Sequence, residues 1–323
     1  MNTTQAQLGA VLAAGGPELT HLLESTESRL DEVAQGHGAE LARHAGGTLF
    51  AGGKRLRPML VFLCATDGNE RLVAAAAAVE LLHMATLVHD DVLDRAALRR
   101  GRPTVFAQGG RTAATATGDL LFSRAFAELV STGDADAVRA LSVASTALAR
   151  GELVQRADAW RADVTPARYL ERCRLKTASL FEASCRLGSL FGNRPMPPEP
   201  VGRFGEQIGL AFQMLDDVLD VSGPQERTGK PRGTDLLDGT VTLPLILARR
   251  ADPGLDRLDP DLGPDEAEAI CDRILATGAL DQAREQALGH VAQAKLEVES
   301  IDLPAERRHA LELVADGVVE RYA

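Results

Sequence analysis

Lysine is almost missing from this sequence. Of 35 basic residues only four are lysine, namely Lys54, Lys176, Lys230 and Lys295. Aromatic residues are also few, at 4% of the chain with a single Trp and two Tyr. Strand-type alternation is scarce and alanine abundant, so the composition points to an all-α protein. The four cysteines, Cys64, Cys173, Cys185 and Cys271, form no C-x-x-C pair. That spacing indicates neither zinc nor a disulfide framework. Positive charge is in deficit as well. The net charge is −11 and the pI about 5.2, without the basic stripe of a nucleic-acid binder. No long Pro/Ser/Gly linker divides the chain, and the Pro-rich stretch 192–200 is short, so residues 1–323 are expected to form one helical domain. The first five residues show no basic stretch leading into an apolar one, which argues against a signal peptide. The longest apolar region, 72–88, is interrupted by Glu80 and His83 and reads as a buried helix rather than a membrane span. A cytoplasmic protein is expected.

What is present is a duplicated acid motif. Asp-Asp-Val-Leu-Asp occurs at 90–94 and again at 216–220, each time closing an apolar helical run. On a helix, positions i and i+4 share a face, about 6 Å apart along the axis. Asp90 therefore points with Asp94, and Asp216 with Asp220. Like charges at that spacing destabilise a bare helix, and the negative end of the helix dipole adds to the repulsion. A solvated helix end would account for one copy. Two identical copies favour a cation held between carboxylates, and hard oxygen ligands that share their ion with phosphate and water suit Mg2+.

The rare lysines fall near these motifs. Lys54 lies in Gly52-Gly53-Lys54-Arg55-Leu56-Arg57-Pro58, Lys176 in Leu175-Lys176-Thr177, and Lys230 follows the second acid cluster. Arginines Arg95, Arg99, Arg100 and Arg102 follow the first. Basic side chains beside metal-type carboxylates suggest a polyanion such as a diphosphate ester, bound through both. There is no Gly-x-x-x-x-Gly-Lys-Ser/Thr loop, so a P-loop nucleotide site is not supported. Helical periodicity and Gly/Pro punctuation predict helices over 17–45, 57–67, 69–94, 111–131, 135–149, 153–161, 166–191, 201–221, 242–250, 264–277, 280–298 and 304–322.

With these residues in order, residues 41–244 resemble the trans-isoprenyl diphosphate synthases, the polyprenyl synthetase family. The resemblance implies a single helical bundle around a central cavity and a prenyltransferase that joins isopentenyl diphosphate to allylic prenyl diphosphates. It implies that Lys54, Arg57, His83 and Arg100 hold isopentenyl diphosphate. Arg99, Lys176, Thr177, Gln213 and Lys230 would contact the allylic substrate. Asp90, Asp94 and Asp216 would be the main Mg2+ ligands, with Asp217 and Asp220 in support. Lys176, Thr177 and Gln213 would also steady the carbocation. One departure is plain. Where the family usually has Glu-Gly-Lys, this chain has Asp238-Gly239-Thr240.

The resemblance also bears on products and assembly. Small Ala85 and Thr86, one turn before Asp90, would leave the tunnel for the growing chain open, with its floor set by Leu81, Leu82 or Phe122. An all-trans product longer than geranylgeranyl diphosphate is expected, the alternative being a short-chain synthase. A homodimer is implied, with the Ala-rich segments 74–79 and 113–116 able to allow close helix approach. A terpene cyclase would share the fold, but usually with a different second metal motif and many cavity aromatics. A non-catalytic subunit of a heteromeric synthase would typically lack one acid motif. A metal-dependent phosphohydrolase would need a general base that is not evident beside the acids.

Overall fold

The computed structural model describes residues 3–49, 53–65, 67–99, 101–192, 196–223, 232–257 and 259–320. The first helices are α1 (Thr3–Gln35), α2 (Ala39–Leu49), α3 (Leu56–Leu63) and α4 (Glu70–Leu93). They are followed by α5 (Val105–Ser131), α6 (Ala135–Ala157), α7 (Pro166–Cys173), α8 (Ser179–Phe191) and α9 (Pro198–Ser222). The last are α10 (Thr234–Leu237), α11 (Leu243–Ala248), α12 (Pro264–Ala276), α13 (Ala279–Glu299) and α14 (Ala305–Glu320). Among the described residues the only strands are the two-residue β1 (Leu98–Arg99) and β2 (Arg102–Pro103), a small hairpin turned by Gly101 at φ 74°.

Helix α4 is the axis of the bundle. Asn69 caps it, accepting from the Leu72 N–H at 3.1 Å, while its amide donates to the Phe191 carbonyl at 2.8 Å. The alanine run that follows has high helix propensity and little bulk, so α5, α3, α8 and α1 can all pack against it. Leu72, Leu81 and Leu82 are fully buried, each contributing about 1.5–3 kcal/mol. Ala75–Val79 are likewise buried within the chain, so this segment is interior packing and not a free dimerisation surface. Helix α4 is long and apolar enough to cross a membrane by composition, yet most of it is enclosed by other helices. Arg55 fixes the start of α3 beside it. Held at φ 47°, it bonds Glu27, the Leu49 carbonyl and the buried Glu80 of α4, the last at 2.6 Å.

Several boundaries differ from expectation. Helix α1 starts well before Pro17 and is kinked at Gly16, where φ is 74°. The span 17–45 is broken at Gly36-His37-Gly38, with Gly38 at φ 90°, and resumes as α2. The break expected between 149 and 153 is absent, because α6 runs straight through Gly151. The expected helix 166–191 is interrupted by a π-helical turn, Arg174–Ala178, in which the Ser179 N–H bonds the Arg174 carbonyl. All four cysteines are buried free thiols.

The π turn is gripped from two sides. A side-chain carbon added at Gly151 would lie 2.6 Å from the Lys176 backbone nitrogen, and one added at Gly209 would lie 2.5 Å from the Ala178 Cα. Two bare glycines thus let α6 and α9 close on the segment carrying Lys176 and Thr177. A π turn adds one residue per turn and so re-aims the side chains that follow, which is why such turns favour functional sites.

Candidate active site

The first acid cluster ends α4. Asp91 is turned inward and accepts from Arg99 Nε at 2.8 Å. Asp94 accepts from Arg156 of α6 at 2.5 Å. Arg156 also donates to Glu152 at 2.7 Å, and Glu152 in turn holds the Lys176 ammonium. Asp90 sits among these groups with its carboxyl pushed up to about 6, chiefly by burial. Glu152 and Asp94 push it in the same direction, while Lys176 and Arg99 oppose them. Crowded carboxylates of this kind fit a hard divalent cation. Among the described residues no three Asp, Glu, His or Cys side chains converge into a ready cage. An ion here would therefore complete its shell with phosphate and water.

The second cluster ends α9 and differs in its partners. Asp216 lines a cavity shared with α3 and α4. Asp217 is buried, accepting from Gln213 Nε2 at 2.8 Å and from the Tyr169 hydroxyl at 2.8 Å. Its carboxyl is raised to about 6 by burial, against the pull of Arg172 and these two bonds. The Thr177 hydroxyl donates to Gln213 Oε1 at 2.7 Å. Asp220 is buried too and accepts from the Asp235 N–H at 3.1 Å, while its own carbonyl accepts from Gly233 at 3.0 Å. The acid motif thereby anchors the loop that follows. Farther along that loop, the Trp160 N–H donates to the Gly239 carbonyl at 2.9 Å and the indole lies against Gly239, with Trp160 itself at φ 66°. Thr240 is buried there, at the position where the family pattern has lysine.

The cavity onto which Asp216 opens has a volume of about 690 Å³ and also reaches α1 and α14. Its wall brings together Lys54, Arg57, His83 and Arg99 with Asp216, Phe181 and Phe212. The Arg57 guanidinium stands over the Phe181 ring at 4.5 Å, a cation–π contact that orients it. Lys176, Thr177, Gln213, Asp90 and Asp94 are not part of that wall and form the adjoining network on α4, α6 and the π turn. Arg100 and Lys230 lie outside the described residues. On α4, Ala85 is buried and Thr86 half-buried, its hydroxyl bonding the His83 carbonyl at 2.8 Å. Leu81 and Leu82 are interior, but Phe122 is 37% exposed and stacks on Phe126, so it does not serve as a buried floor.

Sequence reasoning overlooked Glu152, Arg156, Tyr169 and Arg172. A signal existed for the first two. Glu152 and Arg156 are an i,i+4 acid–base pair directly after Gly151. No spacing rule joined Tyr169 to Asp217, which lies 48 residues away.

The sequence pattern of the polyprenyl synthetase family matches residues 39–276. The heptaprenyl diphosphate synthase component 2 of Geobacillus stearothermophilus is 40% identical over 271 residues, covering 81% of this chain and 84% of that protein. A geranylgeranyl diphosphate synthase of Methanosarcina mazei is 35% identical over 282 residues, covering 84% of this chain and 86% of its own length. Among solved structures, a polyprenyl synthase of Caulobacter crescentus complexed with calcium and isoprenyl diphosphate superimposes with a TM-score of 0.88 at 32% identity, over 98% of each chain. The chain belongs to the polyprenyl synthetase family, and it is a prenyltransferase of the isoprenyl diphosphate synthase class.

Proposed function

We propose that this chain condenses isopentenyl diphosphate with an allylic prenyl diphosphate in a Mg2+-dependent reaction, and that its all-trans product is longer than geranylgeranyl diphosphate. The observation that carries this reading is the division of basic groups into two sets flanking the acid clusters. Lys54, Arg57 and His83 share a cavity wall with Asp216, Arg99 stands at that wall and bonds Asp91, and Lys176 stands near Asp90 outside it. Lys54, Arg57 and His83, with Arg100, would grip the diphosphate of isopentenyl diphosphate and fix its double bond. Arg99 and Lys176, with Lys230, would take the allylic diphosphate. Asp90, Asp94 and Asp216 would hold Mg2+, which when bound neutralises diphosphate oxygens and improves the leaving group.

The allylic C–O bond then ionises, and the carbonyl of Gln213 and the hydroxyl of Thr177 turn their negative ends toward the cation. Phe181, Phe212 and Leu87 keep water away from it. The isopentenyl double bond attacks the allylic carbon, and the released diphosphate accepts the proton that restores the alkene. Small Ala85 and Thr86 support growth past the level of the first cluster.

We place the enzyme in the cytoplasm as a homodimer. Helix α5 exposes Phe122 and Val130 about two turns apart, which supports a second copy on that face. The relative described as a component 2 favours a second arrangement, a catalytic subunit that needs another polypeptide. Purified chain incubated with labelled isopentenyl diphosphate, farnesyl diphosphate and Mg2+ tests these points. Products longer than geranylgeranyl diphosphate are expected from the chain alone. No turnover without a second polypeptide favours the heteromer, and a product that stops at geranylgeranyl diphosphate overturns the chain-length reading.

A further inference from the structure

Tyr169 is one of two tyrosines in the chain and is completely enclosed in α7. It reaches the site only through other side chains. Its hydroxyl donates to Asp217 Oδ2, Gln213 Nε2 donates to Asp217 Oδ1, and the Thr177 hydroxyl donates to Gln213 Oε1, at 2.8, 2.8 and 2.7 Å. Each bond has one sense. A phenol has a single proton to give, and an ionised carboxylate can only accept. The Gln213 amide must therefore turn its NH2 toward Asp217 and its carbonyl toward Thr177. Three consecutive bonds thus join α7, α9 and the π turn, and the series ends beside Lys176. The buried Arg172 guanidinium lies over the Tyr169 ring, 5.2 Å from its centroid, and keeps positive charge beside the carboxylate.

We propose that Tyr169 is a positioning residue for prenyl transfer. By holding Asp217 inward, it fixes the Gln213 carbonyl and the Thr177 hydroxyl at the allylic site and withdraws Asp217 from the ion-binding face of the second cluster. This rests on the prenyl-transfer reading above. It separates the three aspartates of the second motif. Asp216 faces the cavity, Asp220 ties down a loop, and Asp217 orients an amide. Without the Tyr169 proton, Asp217 Oδ2 loses its buried donor. The carboxylate is then free to rotate, and the amide to flip and present NH2 to Thr177.

Three variants test this: Tyr169→Phe, Asp217→Asn, and Asp217→Asn combined with Gln213→Glu. Asparagine at 217 sets one NH2 against another, whereas the pair restores every bond with its polarity moved by one residue. Tyr169→Phe should lower kcat about tenfold with the KM for isopentenyl diphosphate within about twofold of wild type. Asp217→Asn should lower kcat about a hundredfold, and the double variant should recover about tenfold of that loss. Calorimetry with an unreactive allylic thiolodiphosphate supplies a readout besides turnover. The Mg2+ concentration that half-saturates its binding should stay within about threefold of wild type in Asp217→Asn. A shift of about tenfold or more would make Asp217 an ion ligand and overturn the proposal. Wild-type kcat in Tyr169→Phe, or a double variant no better than Asp217→Asn, would overturn it as well. Wild-type enzyme that does not consume isopentenyl diphosphate at all would instead overturn the prenyl-transfer reading.

Discussion

The two copies of Asp-Asp-Val-Leu-Asp have the same letters and different surroundings. In the first, the inner carboxylate Asp91 is paired with a cation, Arg99, and the last, Asp94, with Arg156. In the second, the inner carboxylate Asp217 is held by two neutral donors, Tyr169 and Gln213, and the last, Asp220, accepts from the backbone of Asp235. Arg156 and Asp94 both remain partly exposed, so that ion pair is inexpensive to break when a stronger anion or a metal arrives, whereas Asp91 is buried and only its partner Arg99 is partly exposed. The carboxylates of Asp217 and Asp220 in the second cluster are buried, and breaking their bonds would leave them unsatisfied at about 1–3 kcal/mol each. The end of the first cluster is therefore built to exchange partners, while Asp217 and Asp220 of the second are built to stay fixed.

Substitutions can break or sharpen that contrast. The largest effect is expected from removing the carboxylate that faces ligand in either cluster. Asp90→Asn and Asp216→Asn should each lower kcat by on the order of 10²–10³-fold while leaving the circular dichroism spectrum intact. EDTA should abolish turnover and Mg2+ restore it. Near wild-type rates in either variant would show that only one cluster matters.

The next effect separates the two basic sets. Lys54→Ala and Arg57→Ala should raise the KM for isopentenyl diphosphate by about tenfold, with a smaller change for the allylic primer, and Lys176→Ala should do the reverse. Equal changes in both KM values from all three would dissolve the distinction.

A smaller change is expected from Glu152→Gln, which removes the charge shared by Lys176 and Arg156. With Lys176 less restrained, the KM for the allylic primer should shift by about two- to fivefold, because the network is part-exposed. An unchanged KM would mean that Lys176 reaches its place without this acid.

The smallest effect on rate concerns the helices leading into the clusters. One turn before Asp216 stands Phe212, whereas one turn before Asp90 stands Thr86, with small Ala85 beside it. The α9 side thus carries a bulky ring at a level where the α4 side carries small side chains. On the proposal that the tail grows along α4, Ala85→Phe should block it, shortening the product with little change in the rate of the first condensation. The overpacked helix should lose about 1–3 kcal/mol of stability, read as a lower Tm. A product distribution identical to wild type would place the growing tail elsewhere.

Much of this was legible in the sequence because it depends on local spacing. The acid pairs, the rare lysines and the glycine breaks at Gly101 and Gly110 are events of a few residues, and each has its physical cause nearby. What was not legible depends on contacts between distant segments. Gly151 reads as a helix breaker, since glycine weakens helices. Its role becomes clear only when the Lys176 backbone is seen against it. The π turn has no composition signature. The inward turn of Asp217 was half-visible, because Gln213 and Asp217 are an i,i+4 pair, but the Tyr169 donor that completes it comes from another helix.

The chain's single tryptophan has a use that its packing did not require. Indole emission depends on the polarity around the ring, and Trp160 rests on Gly239, in the loop suspended from Asp220. The molecule therefore carries its own optical gauge. A shift of that loop that moves Gly239 off the indole should change the colour or brightness of one known fluorophore, without a label and without a second indole to obscure the signal.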